Sequence, residues 1–292
     1  MSSSASTPAT PVTVPSVRAN KVRSGSAPLV MVTAYDAPGA RIASEAGVDL
    51  ILVGDSLAMV VLGYDDTLQV TIEDMAHHTA AVARAKPHAL IVGDLPWLSY
   101  HLSAEDTVRN AALLIRAGAE AVKLEGGTKR IPMIEALVDA EIPVMGHIGL
   151  TPQSVHAMGG FKVQGRSSDA ALQLVSDAKA LEHAGCFSIV LEGVPSEVAA
   201  MVTDTVNVPT IGIGAGPDCD GQVLVYHDVL GIEDRMAPKF VRRYADVKSV
   251  SVAAIADYSR EVRERTFPGP DESYHLSHEV AEALHLYGAG DK

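Results

Sequence analysis

The chain has 292 residues, enough for one large α/β barrel or two smaller domains. It is 47% hydrophobic but only 4% aromatic, so a sizeable core must be built mainly from aliphatic side chains. A formal net charge of -13 argues against nucleic-acid partners and offers nothing to an anionic membrane surface, while two cysteines without a CxxC spacing exclude a disulfide framework or a zinc knuckle.

Met1 to Pro15 is rich in Ser, Thr, Ala and Pro and lacks the apolar stretch of a secretory signal. Residues 1–20 are therefore read as a disordered extension, 21–267 as a single catalytic domain, and 268–292 as a loosely attached tail with a candidate helix at Tyr274 to Tyr287. No apolar run approaches the ~20 residues that span a bilayer. The expected setting is a reducing cytoplasm.

Strand candidates follow in chain order at Leu29–Thr33, Leu50–Val53, Leu90–Gly93, Ala121–Leu124, Pro143–Gly146, Ser188–Leu191, Thr210–Ile213 and Gln222–Tyr226, with helical segments between most of them. Thr71 and Ser103, each followed by acidic residues, mark helix starts, and Ser196 and Thr128 are further capping candidates. Gly47, Gly118 and Gly185 stand where helices would end in a left-handed residue. Eight strand–helix units in a row predict a parallel sheet closed into a (β/α)₈ TIM barrel, with an open doubly wound sheet as the alternative. Two connections, Ser56 to Thr71 and Leu150 to Ser168, are too long for simple turns and leave carboxyl ends of strands, where barrels keep their lids.

Asp55, Asp94 and Glu125 close three of the apolar runs. One such acid would be read as a helix cap; three at equivalent positions suit a shared acid–base site or a hard divalent cation, Mg²⁺ first. Lys123, two residues before Glu125 on the same strand, shares its face and is either a salt-bridge partner or a fixed cation for an anionic substrate. His147 ends the fifth strand. Glu192 ends the sixth and is free to act as a base; its alternatives are a helix cap or a partner of His147. His77 and His78 read as a solvated helix face. Ile211 to Gly216 resembles a phosphate-cradling turn, but close backbone packing explains it equally, and the dinucleotide spacing is not met.

Taken together, these phrases resemble the ketopantoate hydroxymethyltransferase family. They are Val32-Thr33-Ala34-Tyr35-Asp36, Val53-Gly54-Asp55-Ser56, Gly93-Asp94-Leu95-Pro96, Val122-Lys123-Leu124-Glu125-Gly126-Gly127 and Gly146-His147-Ile148-Gly149-Leu150-Thr151-Pro152-Gln153. Gly160-Phe161-Lys162-Val163-Gln164-Gly165-Arg166, Leu191-Glu192-Gly193-Val194-Pro195 and the glycine run follow in order. The resemblance implies a (β/α)₈ barrel that transfers a one-carbon unit from 5,10-methylenetetrahydrofolate to 3-methyl-2-oxobutanoate, giving 2-dehydropantoate in pantothenate and coenzyme A synthesis.

It further implies Mg²⁺ on Asp55 and Asp94, with Glu125 completing the site directly or through water. The keto acid would lie on Asp55, Ser56, Asp94 and Lys123, to which His147 is added as a substrate contact. Glu192 would be the proton acceptor for a Mg²⁺-stabilised enolate. Lys162 and Arg166 are candidates for closing over the folate, with ordinary solvated charge as the equal alternative. A ring-like homo-oligomer, commonly a decamer, is the implied assembly, with no nucleic-acid or membrane partner.

The nearest rivals are Mg²⁺-dependent barrels that make or break C–C bonds beside a keto acid, such as relatives of isocitrate lyase and phosphoenolpyruvate mutase. Those use a reactive cysteine, whereas Cys186 and Cys219 precede a strand and fall in a late loop. A non-catalytic barrel that only binds metal and keto acid would have no need of Glu192.

Overall fold

Each apolar run becomes a strand because its alternate side chains find two different apolar surroundings, one inside a closed sheet and one beneath helices. In the computed structural model, which describes residues 10–233 and 238–285, the strands are β1 Leu29–Thr33, β2 Leu50–Val53, β3 Leu90–Asp94, β4 Ala121–Glu125, β5 Val144–Gly149, β6 Ser188–Glu192, β7 Thr210–Ile213 and β8 Gly221–Leu224. All pair in parallel with their sequence neighbours, and β8 closes on β1. The (β/α)₈ barrel expected from the sequence is therefore the observed fold.

The helices of the barrel unit are α1 Val14–Arg18, α2 Ala37–Glu45, α3 Leu57–Val60, α4 Ile72–Arg84, α5 Ala104–Arg116, α6 Ile131–Asp139, α7 Val155–Met158, α8 Ser168–His183, α9 Ser196–Thr205 and α10 Tyr226–Leu230. Among the described residues none is long and apolar enough to cross a membrane. Compact packing divides between Tyr244 and Ala245. The second unit carries α11 Val247–Glu264, capped by Asp246, and α12 His278–Ala283. That helix covers part of the segment expected between Tyr274 and Tyr287, whose end lies outside the described residues.

Local chemistry explains the boundaries. Thr71 and Ser103 accept hydrogen bonds from the backbone N–H groups of Asp74 and Asp106, and Asp74 returns the bond to complete a capping box. Ser196 and Thr128 do not cap: Pro195 and Gly127 take those positions, and Thr128 bonds instead to Asp177. Gly118 adopts φ +107°, and a Cβ there would stand 2.4 Å from that of Ala83, so both backbone and packing require glycine. β8 stops at Leu224, short of the expected Tyr226, because the Tyr226 N–H donates to Thr33 Oγ1 and opens α10. The two long connections carry short helices, α3 and α7.

Two-residue periodicity separates the core into two clusters. Leu50, Leu52, Leu90, Val92, Ala121, Met145, Val190 and Val223 fill the barrel interior. Their neighbours Ile51, Val53, Ile91, Val122, Leu124, Val144, Ile189 and Leu191 pack outward with helix residues such as Met75, Leu114 and Leu181. The floor is closed by Phe187 and by Val17 of α1, which is fully buried in the interior cluster.

The sequence reading makes residues 1–20 a disordered extension. Its first nine residues lie outside the described ones, but from Thr13 the segment is built into the fold. Thr13 and Ser16 form a capping box. Lys21 then anchors the segment: its ammonium lies 2.6 Å from Asp220 Oδ2 and donates to the carbonyls of Thr203 and Val208. Asp220 also accepts from the N–H groups of Val22 and Thr210. Removing one member of a buried pair strands the other charge, so Asp220→Ala is expected to lower the urea unfolding free energy by about 3–5 kcal/mol. A loss under about 0.5 kcal/mol, the scale of an ordinary surface change, would show that the anchor is dispensable.

Candidate active site

The same periodicity that fills the interior with Val92, Ala121, Met145 and Val190 directs the next inward position of each strand to the carboxyl-end mouth. Those positions are Asp94, Lys123, His147 and Glu192, followed one step higher on β4 by Glu125. Parallel register sets Asp94 beside Lys123 and Glu125 beside His147. Asp55 enters from just beyond β2, where its backbone N–H donates to Asp94 Oδ2 at 3.2 Å. Three strand-end acids, a lysine, a histidine and a further glutamate thus converge at the face where barrels carry their chemistry.

Lys123 is the centre of the cluster. Its ammonium is 2.9 Å from Asp94 Oδ1 and 3.3 Å from His147 Nδ1. His147 Nδ1 is also 3.6 Å from Glu125 Oε1, and Nε2 lies 3.2 Å from Glu192 Oε2. That last approach is poorly aligned, so Nε2 makes a close contact without a geometrically sound hydrogen bond. Asp55, Asp94, Lys123, Glu125 and His147 are all buried, while the Glu192 side chain keeps 16% of its surface exposed.

Burial sets the electrostatics. It pushes the Asp94 carboxyl up to about 7, against the pull of Lys123 and with the help of Asp55. Burial likewise raises Asp55 despite Lys123 and the Gln153 hydrogen bond, and raises Glu125 well above the usual carboxylate range with Asp55 adding repulsion. For Lys123 burial acts in the opposite sense, but Asp94, Glu125 and Asp55 outweigh it and hold the ammonium charged. Burial and the Lys123 charge lower His147, so its imidazole is neutral near pH 7. Three carboxylates against one ammonium leave the pocket short of positive charge.

That shortage, with the donor set, bears on the metal expected from the sequence. Asp94 Oδ1 is buried and lacks an aligned hydrogen bond in spite of its closeness to Lys123. Oxygen donors of this type fit a hard divalent cation. Among the described residues no group of three or more His, Cys, Asp and Glu side chains forms a ready-made metal cage. One reason is that Glu125 Oε2 accepts from the Gln153 backbone N–H at 3.1 Å. The fit therefore rests chiefly on Asp55 and Asp94.

Ser56 joins the site through its hydroxyl, 2.9 Å from the Tyr35 phenol. Lys162 and Arg166 are exposed on the loop after β5. His78 leaves the solvated face assigned to it, because its Nδ1 lies 2.7 Å from the Tyr35 carbonyl. The Ile211–Gly216 run follows the packing alternative: a Cβ on Gly216 would stand 2.4 Å from that of Ser196. Cys186 and Cys219 are buried, and burial pushes the Cys186 thiol up to about 12, which leaves no reactive thiolate. Sequence reading misses Tyr100 and Gln153, which bond to one another and to the acidic cluster. Gln153 ends the phrase that begins at Gly146, the one signal that could have marked it.

The chain matches the model of the ketopantoate hydroxymethyltransferase family over residues 11–270. It is 55% identical over 282 residues to a 3-methyl-2-oxobutanoate hydroxymethyltransferase of Syntrophobacter fumaroxidans, covering 96% of this chain and 98% of that one. Against the 3-methyl-2-oxobutanoate hydroxymethyltransferase 2 of Bradyrhizobium diazoefficiens the identity is 53% over 284 residues, 97% of this chain and 96% of the relative. Among solved structures, phosphonopyruvate hydrolase in complex with oxalate and Mg++ superposes with a TM-score of 0.57 at 16% identity, covering 94% of this chain and 98% of that one. A 2,3-dimethylmalate lyase of the PEP mutase/isocitrate lyase superfamily gives 0.56 at 18% identity, covering 94% and 95%. At such identities the likeness is one of fold.

The Asp94 shift makes a pH prediction. Folding raises its pKa from about 4, so the folded state binds the proton more tightly than the unfolded chain. The stability this contributes is fully present below about pH 4 and is lost as pH rises through about 7. With divalent cations chelated, the unfolding free energy of the parent should fall more steeply between about pH 4 and 7 than that of Asp94→Asn, which cannot ionise. Equal slopes would contradict the assignment.

Proposed function

This chain belongs to the ketopantoate hydroxymethyltransferase family, a transferase family of pantothenate synthesis, and we propose that it carries a one-carbon unit from 5,10-methylenetetrahydrofolate to 3-methyl-2-oxobutanoate. The product is 2-dehydropantoate. One observation carries the reading: Glu192 stands partly exposed at the mouth while Asp55, Asp94 and Glu125 are buried around Lys123. One carboxylate is thereby free for proton transfer while three remain for binding.

Asp55 and Asp94 would hold Mg²⁺, with Glu125 completing the set directly or through water. A cation held there would supply positive charge for the negative charge that develops on the keto acid as the C3 proton leaves. Lys123 neutralises the carboxylate of the keto acid, a task suited to an ammonium kept charged by its acidic neighbours. Ser56, oriented by Tyr35, and His147 add polar contacts to the same substrate. Glu192 accepts the C3 proton. A neutral His147 beside it touches Glu192 without locking it into an ion pair, which leaves the carboxylate free to receive the proton. Water releases the methylene carbon of the folate as formaldehyde, breaking both C–N bonds and leaving a proton on each nitrogen; the carbon nucleophile bonds to that carbon, and the new alkoxide takes the proton back from Glu192. Lys162 and Arg166 supply cations for the folate's glutamate tail. A homo-oligomer, a decamer by resemblance, is part of the same proposal.

The test is conversion by the purified protein of 3-methyl-2-oxobutanoate and 5,10-methylenetetrahydrofolate to 2-dehydropantoate in the presence of Mg²⁺. Glu192→Gln keeps the shape of the side chain and removes its basicity. Its turnover is expected to fall by on the order of 10²–10⁴ with keto-acid binding retained. Unchanged turnover in this variant would remove Glu192 as the base.

A further inference from the structure

We propose that Gln153 is a positioning residue for the acidic cluster and that Tyr100 is the lock that holds it, an inference resting on the cation reading given above. Gln153 lies just beyond β5, yet it reaches past neighbouring β4 to the residues that follow β3 and β2. Its Nε2 donates to Asp55 Oδ2 at 2.9 Å and to the Leu95 carbonyl at 3.0 Å. Its backbone N–H donates to Glu125 Oε2 at 3.1 Å. One residue therefore holds two of the three buried acids, which come from β2 and β4.

The direction of these bonds is over-determined. A backbone carbonyl only accepts, so the amide NH₂ must face Leu95, and the same orientation turns it toward the Asp55 carboxylate. Oε1 then points at the Tyr100 hydroxyl, 2.6 Å away. Tyr100 in turn accepts from the Glu125 N–H at 3.2 Å, which commits its own proton to Gln153. The chain runs one way, from Glu125 N–H through Tyr100 and Gln153 to Asp55. Tyr100 is fully buried and Gln153 nearly so, so neither can exchange these partners for water. A flipped amide would set its oxygen against both Leu95 and Asp55.

Outer partners of this kind usually tune metal affinity by 10–100-fold, and they act through the ligand they orient. The experiment uses the full chain and Mn²⁺ alone, with affinity read by electron paramagnetic resonance of the free ion. Gln153→Met fills the same space without the donors and leaves the backbone bond to Glu125 in place. It is expected to bind Mn²⁺ about 10–100-fold more weakly than the parent. Tyr100→Phe removes the lock, together with the acceptor of the Glu125 N–H, and should lose several-fold. Because Tyr100 acts through Gln153, the double variant should be no weaker than Gln153→Met alone.

Parent-like affinity in Gln153→Met, or losses that add in the double variant, would overturn the proposal while leaving the cation reading intact. If Gln153→Met does not fold, Tyr100→Phe decides: a several-fold loss supports the lock and parent-like affinity removes it. A parent that binds no Mn²⁺ would overturn the cation reading and this proposal with it.

Discussion

An ammonium with 3% of its residue surface exposed cannot sit inside a barrel unless anions surround it, and Lys123 is in that position. Its pairing with Asp94 at 2.9 Å is the interaction on which the rest of the mouth depends. Asp94 is itself buried and fixed by the Asp55 N–H, so the two strand ends are tied together. Glu125 and His147 complete the surroundings of Lys123. One lysine, however, cannot balance three buried carboxylates: burial raises the pKa values of all three, and Lys123 offsets it only in part. The site is built to take up positive charge, as protons or as a cation.

The barrel separates stability from chemistry along its axis. Its lower interior is aliphatic and is closed by Val17 and Phe187. The ionisable side chains of the strands enter toward the carboxyl ends of β3 to β6. The apolar floor keeps the mouth's lower wall dry, which strengthens every charge interaction above it. The Lys21–Asp220 pair contributes at the amino-terminal end, where it fastens the entering chain to the β7–β8 connection.

What could be read in the sequence was whatever repeats. Short apolar runs ending in Asp55, Asp94, Glu125 and Glu192 announced both the parallel sheet and the convergent acids, because strand periodicity carries a side chain's direction with it. Gln153 has no such signal. It stands in a loop, and its Asp55 partner is 98 residues away. The segment from Thr13 was hidden differently: a Ser/Thr/Pro-rich composition resembles disorder, and its order comes from one buried valine, a four-residue capping box and the Lys21 anchor. His78 looked solvated because helix spacing does not reveal that the Tyr35 carbonyl waits on one side.

The central claim is that this mouth makes a carbon nucleophile from a keto acid. Proton–deuterium exchange at C3 of 3-methyl-2-oxobutanoate, followed by NMR in D₂O with the purified protein, tests it most directly. With Mg²⁺ and without folate, exchange is expected to run far above the protein-free rate and to vanish on chelation. No exchange above background, with folate or without it, would contradict an enolising site.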